Sequence, residues 1–157
     1  MTIGQILALV GAAIAVILAG MGSSKGVGLA GETAAGVSSE NPDVASKLLV
    51  LQLLPATQGI YGFLIAVIVL INTGVLGGAM KAVTLEQGIS FIIACLPIAI
   101  VGYYSAIRQA KVAAAGMLMT GQRPEMSGRG ITMAVMVETY AVFALLVSFL
   151  MVISIKL

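Results

Sequence analysis

Glu138 is the residue of this chain best placed to do chemistry. It lies in Ile131–Ile155, where no other side chain is charged. A helix of roughly 20 residues crosses a bilayer, and a carboxylate at that depth costs about 2.5–3.5 kcal/mol even on insertion-based scales. The nearest charges in sequence are Arg129 and Lys156, so an acid that reaches the surface from a helix end does not fit. A carboxylate in this setting needs a proton, a cation or a polar partner.

Candidate partners sit on other apolar stretches. Leu54, Thr57, Gln58 and Tyr61 are spaced i, i+3, i+4, i+7 and share one helix face. Pro55 among them removes a helical N–H and frees a carbonyl, that of Leu51 by the simple i−4 rule. Counting from the prolines that mark the turns, Gln58 follows Pro42, and Gln109 and Glu138 flank Pro124, at nearly equal distances. All three fall about 22 Å from the loop tips at about 1.5 Å per residue. Thr57, Gln58, Tyr61, Gln109 and Glu138 thus share one level. A carboxylate, two amide oxygens, a hydroxyl and a freed carbonyl make a hard-oxygen set suited to a small hard cation. Interhelical hydrogen bonding alone, roughly 0.6 kcal/mol per contact, accounts for the amides but not for the acid beside them. Arg108 and Lys111 are about 60° apart on their helix, and Lys111 is about 160° from Gln109. With Gln109 toward Glu138, Lys111 faces nearly away. Lys25 lies at a similar height on the first apolar stretch. These three cations either reach toward the cytoplasmic interface or hold lipid headgroup phosphates inside a ring.

The elements that position these residues are membrane helices. The 157 residues are 60% hydrophobic and 9% charged, with a mean hydropathy of +1.13, which marks an integral membrane protein. With no histidine and one cysteine, neither a His/Cys metal site nor a disulfide forms within one chain, and no nucleophile–base pair for an enzyme acting alone is evident. A net charge of +2 gives no reason to expect nucleic acid. The apolar start lacks a basic leader and reads as a first membrane helix rather than a cleaved signal.

Four uncharged runs are long enough to span: Met1–Ser24, Leu48–Met80, Gln87–Ile107 and Gly130–Ile155. Turns at Ser38–Asp43, Asn72–Gly78 and Gly121–Glu125 separate them. The expected fold is an all-α membrane protein of four transmembrane helices in two tandem antiparallel hairpins, residues 1–78 and 79–157. Lys25 and Lys47 flank the first turn, and Arg108, Lys111, Arg123 and Arg129 the third. Only Lys81 and Lys156 lie on the other side. The first and third loops are therefore expected in the cytoplasm and both termini outside. An internal repeat at an offset of 80 aligns Gly22 with Gly102 and Gln58 with Glu138, so that only the second hairpin carries a membrane carboxylate.

The first helix is rich in Gly and Ala at spacings of three and four, and so is the third, which implies close helix approach. That bias suggests a ring with these two helices on its small inner circumference. Gly26-Val27-Gly28-Leu29-Ala30-Gly31 fits G-x-G-x-x-G and Gly22–Lys25 faintly suggests a phosphate loop, but neither follows a strand.

Three segments together resemble a known family: Leu53-Leu54-Pro55-Ala56-Thr57-Gln58-Gly59-Ile60-Tyr61-Gly62, Gln109-Ala110-Lys111-Val112-Ala113-Ala114-Ala115-Gly116 and Met136-Val137-Glu138-Thr139-Tyr140-Ala141. In order and spacing they resemble the rotor-ring proteolipid of bacterial sodium-transporting V-type ATPases, over essentially the whole chain. The resemblance implies a non-catalytic subunit in a membrane ring of identical copies, turned by ATP hydrolysis elsewhere. It implies that Glu138, Gln109, Gln58, Thr57 and the main-chain oxygen of Leu54, rather than Leu51, hold Na+, with Tyr61 hydrogen-bonded to Glu138. It also implies a stator subunit with an essential arginine, central-stalk subunits on the cytoplasmic side, lipid contacts and a cell-membrane location. Arg108 departs from the family pattern, where a small residue is expected. A proton ring of the same fold, with Glu138 protonated, is the main alternative, but it would not need the amide and hydroxyl ligands. A passive channel of hairpins would need none of the set.

Overall fold

The computed structural model describes residues 1–78 and 80–157. Among the described residues four long helices, each apolar enough to cross a membrane, run Ile3–Glu40, Pro42–Asn72, Leu85–Gln122 and Pro124–Ser154, and the chain is a multi-pass membrane protein. The first and third helices start alike. Thr2 and Thr84 accept from the backbone N–H of Gln5 and Gln87, whose side chains accept the cap N–H in return. This reciprocal cap satisfies two otherwise orphaned donors at each start. Both helices end two residues before a proline, which cannot continue the ladder but opens the next helix at its first turn.

At 38 residues each, the first and third helices are about 57 Å long at about 1.5 Å per residue. That exceeds a hydrocarbon core of about 30 Å. The uncharged runs end at Ser24 and Ile107, whereas the helices continue to Glu40 and Gln122, since a charge ends a membrane span without ending a helix. The connection between hairpins turns at Gly74 and Gly78, with φ of 77° and 71°, a region that favours glycine. Gln5 Nε2 donates to Lys81 O at 2.8 Å and Thr2 Oγ1 to Val83 O at 2.9 Å, tying this connection to the first helix start. The expected boundary between hairpins falls on Ala79, outside the described residues.

The small-residue stripe marks a close approach of two helices of the same chain. A Cβ on Gly22 would stand 2.5 Å from Tyr103 Cα, and one on Gly26 would stand 2.9 Å from Ala106 O. One on Gly11 would stand 3.0 Å from Phe91 O. The first and third helices run parallel in near-contact within one chain, and these glycines let their backbones meet there. Spacing reports that a backbone approaches, not whose backbone it is. The second helix closes on the first in the same way, with Gly62 against Ala15.

The repeat also has another register. Every bound of the first two helices reappears 82 positions later, Ile3 at Leu85, Glu40 at Gln122, Pro42 at Pro124 and Asn72 at Ser154. Under this register Glu138 corresponds to Ala56, and Gln58 to Tyr140. The offset of 80 matched small residues in Gly/Ala-rich stretches, where chance matches are frequent. It nearly equals the spacing of first- and third-helix residues that touch, such as Gly26 and Ala106.

Candidate ion-binding site

Three helices converge on Glu138. The second helix brings Leu54, Thr57, Gln58 and Tyr61, the third brings Ser105 and Gln109, and the fourth brings Val137 and Glu138. Tyr61 donates its hydroxyl proton to Glu138 Oε1 at 2.5 Å, and Gln109 Nε2 donates to Oε2 at 3.2 Å. Gln58 Nε2 donates to Gln109 Oε1 at 2.7 Å. Gln58 and Gln109 are both 0% exposed, a position polar side chains take only when hydrogen-bonded. Glu138 itself is half-buried, beside an open apolar groove lined by Val135, Thr139, Val142 and Phe143.

Pro55 shapes the other end. The second helix tightens into a 3-10 turn over Leu54–Ala56, and Thr57 donates to Leu54 O through both its backbone N–H and its hydroxyl, the latter at 3.0 Å. The carbonyl beside the Thr57 hydroxyl is therefore that of Leu54, not that of Leu51. The Thr57 hydroxyl also stands 3.4 Å from Gln58 Oε1. Leu54, Thr57, Gln58, Gln109 and Glu138 form one continuous polar string, capped by Tyr61.

Ser105 belongs to this string and was not singled out from sequence. Its hydroxyl donates to Val137 O at 3.2 Å and lies 3.4 Å from Gln58 Nε2. The Gln58 amide thus spends its N–H groups on Ser105 and Gln109, which leaves Oε1 on the Thr57 side. The available signal was the i−4 spacing of Ser105 from Gln109, on the same helix face. Deeper in the third helix, Pro97 interrupts the ladder and buried Ser148 accepts the N–H of Ile98 at 3.1 Å. On the first helix, Ser23 accepts the N–H of Gly59 at 2.7 Å.

Of the cations, Arg108 borders this string, sharing a groove with Ser105 and Val137. Arg108, Lys111 and Lys25 are exposed. Arg108 lines a groove with Tyr104, Val137 and Tyr140. Lys25 Nζ donates to the Tyr103 hydroxyl at 2.9 Å and lies 5.3 Å from the centre of that ring. Among the described residues no three acidic, His or Cys side chains cluster. The site's formal charge is that of one carboxylate, matched by a proton or a monovalent cation rather than by a divalent ion.

A membrane chain of two helical hairpins, with one carboxylate held by a tyrosine hydroxyl and a glutamine amide, has the form of an ion-carrying ring component. The chain belongs to the ATP synthase C-subunit family, which matches residues 10–69 and again residues 92–151. It is 46% identical over 151 residues to the V-type sodium ATPase subunit K of Enterococcus hirae, covering 96% of this chain and 93% of that one. It is 35% identical, again over 96% of its length, to the A-type ATP synthase subunit K of Methanocaldococcus jannaschii, of which it spans 63%.

Proposed function

We propose that this chain is a non-catalytic ring subunit of a V-type rotary ATPase and carries Na+ on Glu138. The ligands are Glu138, Gln109, Gln58, Thr57 and the main-chain oxygen of Leu54, with Tyr61 steadying the carboxylate from outside. The observation that carries this reading is the polar string itself. Two fully buried glutamines and a threonine hydroxyl are aligned on one carboxylate, and a carrier of protons would need only the acid. The sodium in the name of the Enterococcus hirae relative supports the same choice.

The hairpins divide as residues 1–78 and 79–157, and only the second supplies a carboxylate. Identical copies form the ring, with the first and third loops toward the cytoplasm, where central-stalk subunits attach, and both termini outside. Na+ is cargo. While a site faces lipid, bound Na+ neutralises Glu138, because a bare carboxylate there is costly. At the stator, an essential arginine on another subunit takes over as the counter-charge and releases the ion. A new ion then enters from the other side, and ATP hydrolysis on other subunits drives the turn. Lys25, Lys111 and Arg108 hold lipid headgroup phosphates inside the ring.

Graded ligand removal tests the assignment. Gln109→Ala removes a hydrogen bond to a charged group, and such bonds are worth about 1.5–3 kcal/mol. Na+ affinity on assembled rings should fall by about tenfold or more. Ser105→Ala removes a neutral bond that only orients Gln58, and the loss should be about threefold. Unchanged affinity in Gln109→Ala would remove it from the ligand set.

A further inference from the structure

The first helix supplies none of the proposed ligands, yet it holds the turn that carries two of them. Pro55, Gly59 and Gly62 are spaced four and three apart and form one stripe of the second helix. That stripe lies on the first helix. A Cβ on Gly26 would stand 2.8 Å from Pro55 Cβ, and one on Gly62 would stand 2.5 Å from Ala19 Cβ. Between these contacts buried Ser23 accepts the N–H of Gly59 at 2.7 Å. A Cβ on Gly59 would stand 3.1 Å from Ser23 Oγ, so glycine there makes room for the hydroxyl.

The need for this bond follows from Pro55. The second helix leaves the α-helical ladder over Leu54–Ala56 and resumes it at Thr57. The first N–H groups of a resumed helix have no partner inside it. Ala56, at the cap, makes no side-chain hydrogen bond, and the Thr57 hydroxyl donates to Leu54 O. Ser23 fills the capping role from another helix. Without it, the nearest acceptor for Gly59 N–H in its own helix is the carbonyl of Pro55, four residues back. Taking that acceptor extends the α-helix backward, and the next rung joins Gln58 N–H to Leu54 O. The Leu54 carbonyl would then be spent in the ladder. The second hairpin has the same device. Ser105 is the counterpart of Ser23, 82 positions later, and Val137 is that of Pro55. Ser105 donates to Val137 O at 3.2 Å, the i−4 acceptor for Ala141, which is the counterpart of Gly59. Each serine thus grips the same rung of the following helix, one at its N–H end and the other at its carbonyl end.

We propose that Ser23 is a positioning residue for Na+. Its hydroxyl keeps the turn at Pro55 from rewinding, so that the Leu54 carbonyl and the Thr57 hydroxyl stay available to the ion. Ser23 acts through Gly59 and is not itself a ligand. This inference rests on the Na+ reading of the site. Its effect is selective, because the contacts of Glu138 with Tyr61 and Gln109 do not pass through Ser23. Removing the hydroxyl weakens Na+ binding and leaves protonation of Glu138 as it was.

The test is carbodiimide labelling of Glu138 on assembled rings at one fixed pH. Without Na+, Ser23→Ala should label as fast as unaltered rings. The Na+ concentration that gives half protection should rise about fivefold, the scale of one buried donor left without its partner. Ser23→Thr keeps the hydroxyl and should restore half protection. Ser24→Ala removes a hydroxyl that bonds within its own helix, to Met21 O, and should shift nothing. Gly59→Ala keeps the hydroxyl but crowds it off the N–H, and should shift half protection in the same direction as Ser23→Ala, which serves if the latter forms no rings. Half protection unchanged in Ser23→Ala or in Gly59→Ala, while unaltered rings are protected by Na+, would overturn this inference alone. Na+-free labelling that changes as much as the protection would overturn it too, since Ser23 would then only hold the fold. Unaltered rings indifferent to Na+ would overturn the Na+ reading and this inference with it.

Discussion

Glu138→Gln should abolish ATP-driven Na+ uptake in reconstituted vesicles while rings still assemble. The substitution keeps the shape of the side chain and an oxygen that can accept from Tyr61, so the hydrogen-bonded frame persists. What disappears is the single negative charge. A neutral amide cannot balance Na+, cannot exchange the ion for a proton and cannot respond to a fixed cation at the stator. The expected result is complete loss of transport, not a shift in affinity. The same change should abolish modification by hydrophobic carbodiimides, which attack a protonated carboxyl in apolar surroundings. The other acids, Glu32, Glu40, Asp43, Glu86 and Glu125, are all exposed. Persistent Na+ uptake by assembled Glu138→Gln rings would show that the ion travels elsewhere.

Gly22→Leu should destabilise the chain itself, before any ring forms. Even a Cβ at Gly22 would stand 2.5 Å from Tyr103 Cα and 2.6 Å from Tyr103 O, and backbone cannot move aside as a side-chain tip can. The first and third helices must part, which opens the joint along their length. Overpacking of an ordinary core costs about 1–3 kcal/mol, and a backbone clash at a joint this close should sit at or above the top of that range. The readout is the thermal transition of the detergent-solubilised chain, with Gly128→Leu, at a site open within 4 Å, as the neutral comparison. A Gly22→Leu chain as stable as that control would contradict the close approach.

Much of the candidate site was legible because a membrane leaves polar residues few reasons to be there. Thr57, Gln58 and Tyr61 stood out by helical spacing, and counting from Pro42 and Pro124 brought Gln58, Gln109 and Glu138 to one height. Hydrogen bonds among these residues now join them. Ser105 escaped notice because serine is as small as its neighbours and reads as one more close-packing residue. The carbonyl at Pro55 was ambiguous because the i−4 rule assumes an α-helical turn, while the chain forms a 3-10 turn there. The four-helix fold was readable from hydropathy. The helix ends were not, because a charge such as Lys25 marks a membrane boundary while the helix runs on to Glu40. The repeat register was set by the caps at Thr2 and Thr84, two short polar motifs that Gly/Ala matches outweighed.

If Na+ occupies the Glu138 carboxylate, Na+ and the proton must compete for it. Carbodiimide labelling reports the protonated fraction directly. The decisive measurement is the labelling rate of assembled rings against Na+ concentration at two pH values. Na+ should slow labelling in a saturable way, lower pH should shift that protection to higher Na+, and potassium, being larger, should protect poorly. Labelling indifferent to Na+ at both pH values would contradict the account and leave a proton as the carried ion.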